Sequence, residues 1–244
     1  MGPSKARVKP RPPRKVALVT GGGHRVGLAI ANELKHRGWR VAAHYLSHLP
    51  PRGLVGFKAD LATGSGADDL AEAFLARFDR LDLLVCSAAG FFASPLSQTD
   101  AAGFDELMDL NARAPLLLAR ALAPTLARSQ GSIVNVADIG GGLVPWKGYA
   151  AYSASKAALV RITECLALEL APGVRVNAVA PGTVLWPRAY PARVRRNLTR
   201  RIPLGRVGTP LDVAQAVRYL AEATFVTGVV LPVDGGRRLS GRIA

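Results

Sequence analysis

Residues 16–27, Val16-Ala17-Leu18-Val19-Thr20-Gly21-Gly22-Gly23-His24-Arg25-Val26-Gly27, pass from an apolar run through a glycine-rich turn into an amphipathic segment. The apolar run reads as a buried strand. Glycines let the chain turn tightly and bring its backbone close to a bound group. The helix that follows offers free N–H groups and a positive dipole end, which suits a phosphate. Such a turn can be a plain strand-to-helix connection. Its place between a first strand and a first helix points to a dinucleotide.

The rest of the chain extends that pattern. Strand-like runs recur at 40–45, 54–59, 81–87, 132–137, 175–180 and 229–233, with the first at 16–20. Helical patterns lie between them at 26–37, 67–78, 103–127, 149–170 and 211–221. This alternation predicts an α/β fold: a single doubly wound Rossmann-like domain over 15–244, with a seven-stranded, mainly parallel sheet flanked by helices. Residues 1–14, rich in Pro, Lys and Arg, are expected to be a flexible basic tail and lack the apolar core of a secretory signal. No apolar run of about 18 residues is present, so no membrane association is expected.

Hydrophobic residues make up 49% of the 244 residues and charged residues 20%, which suits a large core and argues against disorder. With 32 basic and 17 acidic residues the formal charge is +15. The excess gathers in the tail (Lys5, Arg7, Lys9, Arg11, Arg14, Lys15) and in a late segment (Arg188, Arg193, Arg195, Arg196, Arg200, Arg201, Arg206). Neither stretch interleaves aromatics or carries a nucleic-acid-binding signature, so a nucleic acid is not the expected partner. A dinucleotide accounts for part of the charge. Cys86 and Cys165 are expected to be two buried free thiols, consistent with a cytoplasmic protein. No metal is expected.

The second strand ends in His44-Tyr45-Leu46-Ser47-His48. It lacks the acid that would bind a ribose 2′-hydroxyl, and its hydroxyl and basic groups favour the 2′-phosphate of NADP(H). Arg25 can meet a cofactor phosphate or hold a substrate, or simply face solvent. Farther on, Tyr152-Ser153-Ala154-Ser155-Lys156 sets a Tyr and a Lys four residues apart on one helix face. The ammonium is expected to stabilise phenolate and lower the Tyr pKa, so that Tyr152 exchanges a proton near neutral pH. A Tyr–Lys pair at this spacing can also be an ordinary exposed pair. Its context changes the reading: Asn111-Ala112-Arg113, the strand 132–137 followed by Asp138, Arg175-Val176-Asn177-Ala178-Val179-Ala180-Pro181-Gly182, and Val233-Asp234-Gly235-Gly236.

With this ordered set, the chain resembles the short-chain dehydrogenases/reductases from Val16 to about Arg238. The resemblance implies hydride transfer between NAD(P)H and a C=O or C=N group, with a proton relay through Tyr152, Lys156 and Asn111. It implies cofactor contacts after the first strand (Gly21, His24, Arg25, Val26, Gly27) and at the ends of the second and third (Tyr45, Ser47, Asp60, Leu61). Others fall after the fourth (Ser87, Ala88, Ala89), at Tyr152 and Lys156, and after the sixth (Pro181, Gly182, Val184). Where the usual member has a Ser, this chain has Asp138, which is similar to the pteridine reductase branch. Gly148-Tyr149, Leu185-Trp186-Pro187 and Phe91 match that branch too. The branch implies NADPH-dependent reduction of a pterin such as dihydrobiopterin or dihydrofolate. Arg25, Phe91, Asp138, Tyr149, Tyr152 and Trp186 would hold the substrate, and Asp138 would hydrogen-bond Tyr152. A homotetramer built through 103–127 and 149–170 is expected.

Two departures bear on this. The usual N-N-A-G after the fourth strand reads Cys86-Ser87-Ala88-Ala89-Gly90, and the spacing from Asp138 to Tyr152 is one residue longer. Gly140-Gly141-Gly142 would have to absorb that residue, or Asp138 is carried away from Tyr152. Asp138 can also be read as a turn or cap residue, Phe91 as core and Trp186 as packing. Two other functions stand beside the pteridine reading. One is a reductase of another carbonyl, such as a 3-oxoacyl thioester, with segment 188–206 acting as a substrate lid that meets an acidic carrier. The other is a non-catalytic NADP-binding regulator, against which the intact Tyr152, Lys156 and Asn111 set argues.

Overall fold

A computed structural model describes residues 14–186 and 190–240. Most of the expected tail, and Pro187 and Arg188, lie outside the described residues. All seven expected strands form: β1 (Val16–Val19), β2 (Arg40–Tyr45), β3 (Val55–Lys58), β4 (Leu83–Cys86), β5 (Ser132–Val136), β6 (Arg175–Pro181) and β7 (Val230–Val233). Every pairing is parallel, in the order β3-β2-β1-β4-β5-β6-β7.

The pleat explains the two cores, because alternate residues of one strand face opposite sides. Ala17 and Val19 of β1, with Leu83 and Val85 of β4, pack under α1 (Arg25–His36) and α8 (Pro210–Glu222). Leu18 and Leu84 face the other layer, α2 (Gly66–Leu75), α4 (Ala114–Arg128) and α6 (Ala150–Glu169). Residues of β1 and β4 are buried on both faces, so these strands read as continuous apolar runs. A capping box between Thr209 and Asp212, with Pro210 in the first turn, starts α8 sharply.

Two expectations are corrected, and two short helices join the expected pattern. The single helix over 103–127 is α3 (Ala101–Met108) and α4 joined by a π-helical turn, Asp109–Arg113. The wider turn faces Asn111 toward the loop after β4, where both ends of its amide bind Gly90: Oδ1 accepts from the Gly90 N–H (2.8 Å) and Nδ2 donates to the Gly90 carbonyl (3.0 Å). Cys86 is buried, but Cys165 is exposed on α6. The late basic segment contains a helix, α7 (Ala192–Thr199), with no buried residue. Between β5 and α6 lies α5 (Ile139–Gly142), one helical turn broken at Gly140 and Gly141. Among the described residues no helix is long and apolar enough to cross a membrane.

The strand order reverses at β1 and β4, and such a reversal opens a crevice at the carboxyl ends of the strands. The amino ends are tied by Asp82, whose Oδ2 accepts from the Val16 N–H (2.8 Å) while Arg80 donates to both carboxylate oxygens (2.8 and 2.7 Å). Asp82→Ala should leave the Val16 N–H buried and unpaired and lower stability by about 2 kcal/mol. The measurement is a urea midpoint, expected to fall with an unchanged slope.

Candidate active site

At the carboxyl end of the crevice the Thr20 hydroxyl accepts from the backbone N–H groups of Ser87 (2.9 Å) and Ala88 (3.0 Å), stitching the ends of β1 and β4 together. Gly21 follows at φ +64°, and a Cβ there would stand 3.1 Å from the Ala88 backbone. At Gly27 a Cβ would stand 2.2 Å from the Gly21 carbonyl, so α1 starts directly against the turn. No side chain at the N-cap closes α1, and no acid lies in its first turn. The first N–H groups and the positive dipole end therefore suit an anion. Arg25 keeps a left-handed backbone (φ +48°), where many such loops have glycine, and its exposed side chain lines the crevice.

His44 supports this turn from β2. Its Nδ1 accepts from the Gly21 N–H (3.2 Å), which places the ring proton on Nε2, facing the Ala59 carbonyl (3.1 Å). Burial holds its pKa below the usual histidine value. Sequence reasoning quoted His44 but gave it no role, because a buried strand histidine carries no pattern of its own.

Two adjoining cavities, about 660 Å³ and about 240 Å³, share Gly21, His24, Ala88 and Ala89. The larger is also lined by Arg25, Val26, Gly27, Ser87, Pro181, Gly182 and Val184, with Phe91, Asp138, Tyr152, Lys156 and Trp186. Tyr45, Ser47, Asp60 and Leu61 line the smaller one. There the Ser47 hydroxyl lies 3.0 Å from His48 Nδ1, and the His24 and His48 rings stack at 4.2 Å.

Tyr152 and Lys156 lie one turn apart on α6, both buried. Lys156 Nζ donates to the Val136 carbonyl (2.9 Å) and stands 6.0 Å from the Tyr152 ring centroid. The Tyr152 hydroxyl donates to Asp138 Oδ2 (2.9 Å), and Asp138 Oδ1 accepts from the Gly140 N–H (2.6 Å). Asp138 is thus both the cap of α5 and the partner of Tyr152. The additional residue is absorbed in the glycines: Gly141 adopts φ +97°, and a Cβ there would stand 2.7 Å from the Ser153 backbone.

Burial pushes the Asp138 carboxyl up to about 6, against the Tyr152 and Gly140 hydrogen bonds and the Lys156 and Arg237 charges. Burial also draws Lys156 down to about 8, although Asp138 favours its charged form. The expected lowering of Tyr152 is corrected. Its pKa lies well above the ordinary phenol value, because burial and the neighbouring Asp138 carboxylate oppose a second negative charge. Tyr152 is therefore held as a neutral proton donor.

Phe91 is 46% exposed on the cavity wall rather than in the core, edge-on to Tyr152 (4.9 Å, 81°). Tyr149 stacks behind it (5.3 Å, 11°) and does not line the cavity, so its expected substrate contact becomes a supporting one. Trp146 stacks on Tyr149 (4.3 Å) and reaches the wall itself. Asn111 Nδ2 also donates to the Ser155 hydroxyl (2.9 Å), so its side chain ties the Gly90–Phe91 loop to α6. Trp146, Tyr190 and Arg237 were missed as wall residues. Arg237 is buried, donates to the Thr183 hydroxyl, and directly follows the Asp234-Gly235-Gly236 motif, the one signal that could have found it.

A family model described as enoyl-(acyl carrier protein) reductase matches residues 23–238. A 2-(R)-hydroxypropyl-CoM dehydrogenase of Xanthobacter autotrophicus is 35% identical, covering 91% of this chain and 97% of its own. A cyclohexanol dehydrogenase of a Rhodococcus species is 33% identical over 91% and 95%. A bovine L-fucose dehydrogenase is 33% identical over 92% and 90%.

Gly27→Ala would drive a methyl into the Gly21 carbonyl and lift α1 from the turn. Dinucleotide affinity, followed by quenching of protein fluorescence, should fall about tenfold or more, the equivalent of about 1.4 kcal/mol. Unchanged affinity would show that this turn does not hold the phosphates.

Proposed function

The chain belongs to the short-chain dehydrogenase/reductase family of oxidoreductases, and from that premise we propose that it is an NADPH-dependent reductase acting on C=N bonds of a pteridine, with Tyr152 as proton donor. The observation that carries this reading is the 2.9 Å hydrogen bond from the Tyr152 hydroxyl to Asp138. Reducing a ring C=N bond adds one hydride to carbon and one proton to nitrogen. A neutral phenol backed by a carboxyl that protonates near pH 6 is suited to deliver that proton.

The crevice fits a dinucleotide, because its glycines leave backbone space where a Cβ would clash and α1 presents uncapped N–H groups. The first turn of α1 and Arg25 would hold the pyrophosphate, Lys156 the nicotinamide ribose, and Ser47, His24 and His48 a 2′-phosphate. When bound, the nicotinamide supplies the hydride. Phe91, stiffened by Tyr149 and Trp146, offers an apolar face to a flat heterocycle. Asn111 is a positioning residue that fixes the Gly90–Phe91 loop. With Asp138 protonated, its O–H turns toward the Tyr152 oxygen, and the Tyr152 proton is free to move to the substrate nitrogen. The homotetramer implied by the resemblance would cover Leu116 on α4 and Leu168 on α6, both exposed in the single chain.

A carbonyl reductase or alcohol dehydrogenase is the second reading, favoured by the named activities of the relatives. NADPH oxidation with dihydrobiopterin, dihydrofolate and an acetoacetyl thioester separates the two. Asp138→Ser should impair pterin reduction more than ketone reduction, and equal losses would reject the pteridine reading. Tyr152→Phe should abolish turnover and spare NADPH binding, and retained turnover would reject Tyr152 as the donor.

The pH dependence has a definite sign. Asp138 is active protonated, so the rate of reduction should fall as pH rises through about 6. Loss of the Lys156 charge should lower it again above about 8. Asp138→Asn should remove the limb near 6 and leave the one near 8, measured as kcat against pH under saturating NADPH.

A further inference from the structure

Past β7 the chain turns back over the large cavity at Gly235 (φ +63°) and Gly236 (φ +85°). Ile202 and Pro203 close over that turn, where added Cβ atoms would stand 2.7 and 3.0 Å from them. Asp234 is committed to the turn itself: its Oδ1 accepts from the Gly236 N–H (2.9 Å) and its Oδ2 from the Arg238 N–H (2.8 Å). The residue these two bonds bracket, Arg237, is 8% exposed, lines the cavity, and donates to the Thr183 hydroxyl. Gly182 brings this turn against the loop that carries Asp138. A Cβ on Gly182 would stand 2.8 Å from the Asp234 Cβ and 3.4 Å from Ile139, the residue after Asp138. The two loops thus meet across one glycine, and Arg237 and Asp138 line the same cavity. Among the described residues Asp138 is the one carboxylate on its walls.

We propose that Arg237 is a positioning residue for the reduction: tethered to Thr183, its guanidinium supports the carboxylate form of Asp138 beside the cavity, so that Asp138 can give up its proton instead of keeping it. The proposal rests on the reading of Asp138 and Tyr152 as the proton path and deepens it. When Tyr152 passes its proton to the substrate nitrogen, Asp138 passes its own to Tyr152 and is left as a carboxylate in a dry site. Burial opposes that carboxylate, and a fixed cation offsets part of the cost until water returns the proton. Tyr152 and Lys156 face Asp138 from α6, and Arg237 faces it from beyond β7. Arg237 also meets the charges of Tyr190, Arg201 and Asp234. Lys156 does not replace Arg237, because its Nζ is bonded to the Val136 carbonyl and its charge is lost above about pH 8. Arg25 lines the cavity too, but it is exposed and screened by water. A guanidinium keeps its charge throughout the working pH range.

The test follows Asp138 itself in the full chain, by the infrared band of its protonated carboxyl, with D138N as the blank and neither cofactor nor substrate added. The dependence of kcat on pH is measured alongside with NADPH and dihydrobiopterin. In the unaltered protein Asp138 should be half protonated near pH 6. R237Q should raise that midpoint by about one pH unit, as expected for removal of one neighbouring opposite charge. The falling limb of kcat should move up with it, while the rate at low pH drops several-fold. R237K, which retains a charge, should bring the midpoint most of the way back. T183V, a milder change that serves where R237Q does not fold, should raise the midpoint in the same sense by a smaller amount. A midpoint that stays near 6 in the folded variants, or that moves equally in R237Q and R237K, overturns the proposal even where both variants lose stability. A lower kcat with an unmoved limb overturns it as well. A raised midpoint without turnover of any pterin rejects the pteridine reading and leaves the action of Arg237 on Asp138 standing.

Discussion

The Tyr152 hydroxyl gives its hydrogen bond to a carboxylate shielded from water, and the arrangement of the site follows from what that contact requires. A buried carboxyl is unfavourable unless its oxygens are bonded or it takes up a proton. Asp138 has both oxygens bonded, one to the Gly140 N–H and the other to the Tyr152 hydroxyl, and its proton affinity is raised nonetheless. Such a cap needs a backbone that turns sharply just past β5, which is the place of Gly140 and the left-handed Gly141. Replacing either glycine would move the carboxyl before it affected the core, because the tight neighbours are Trp146, on the cavity wall, and Ser153, in the first turn of α6.

The crevice that receives a cofactor arises from topology before chemistry. Reversal of strand order parts the ends of β1 and β4, and Thr20 bridges them with one hydroxyl taking two backbone N–H groups. His44 and Gly27 then set the height of the turn from beneath and behind. These three contacts are apolar or neutral, so the charges that remain at the crevice face the ligand space and are not consumed in holding the loop.

Legibility followed range. Strands β1 and β4, buried on both faces, appear as unbroken apolar runs, the remaining strands were readable from their regular alternation with helical stretches, and the Tyr152–Lys156 spacing is local to one helix. The π turn at Asp109–Arg113 was not, because it serves a pairing between Asn111 and Gly90 that no local pattern encodes. Helix α7 was hidden by its own arginines, since its apolar side consists of Val194 and Leu198 alone. The direction of the Tyr152 shift was misread for a related reason. Sequence spacing places Lys156 near the ring, but burial and the Asp138 carboxylate, which depend on the whole fold, decide the sign. Tyr149 and Trp146 show the same limit: a motif can name an aromatic without telling which ring meets the cavity and which stands behind it.

The charges lining the large cavity sharpen the role of Asp138. Among the described residues its walls carry one carboxylate against Arg25, Lys156 and Arg237. That balance alone would hold a carboxyl low, yet Asp138 is raised, so loss of water outweighs two neighbouring cations. The same loss of water lowers Lys156. Proton supply and electrostatic support are therefore both governed by how dry the cavity is. A ring lying against Phe91, with Trp186 and Tyr190 beside it, displaces more water from Asp138 and raises its proton affinity further. Under the proposed reduction, an occupied cavity would thereby favour the protonated carboxyl that the reaction draws on, and the Tyr152 hydroxyl, which donates inward to Asp138, is the group through which that proton would pass.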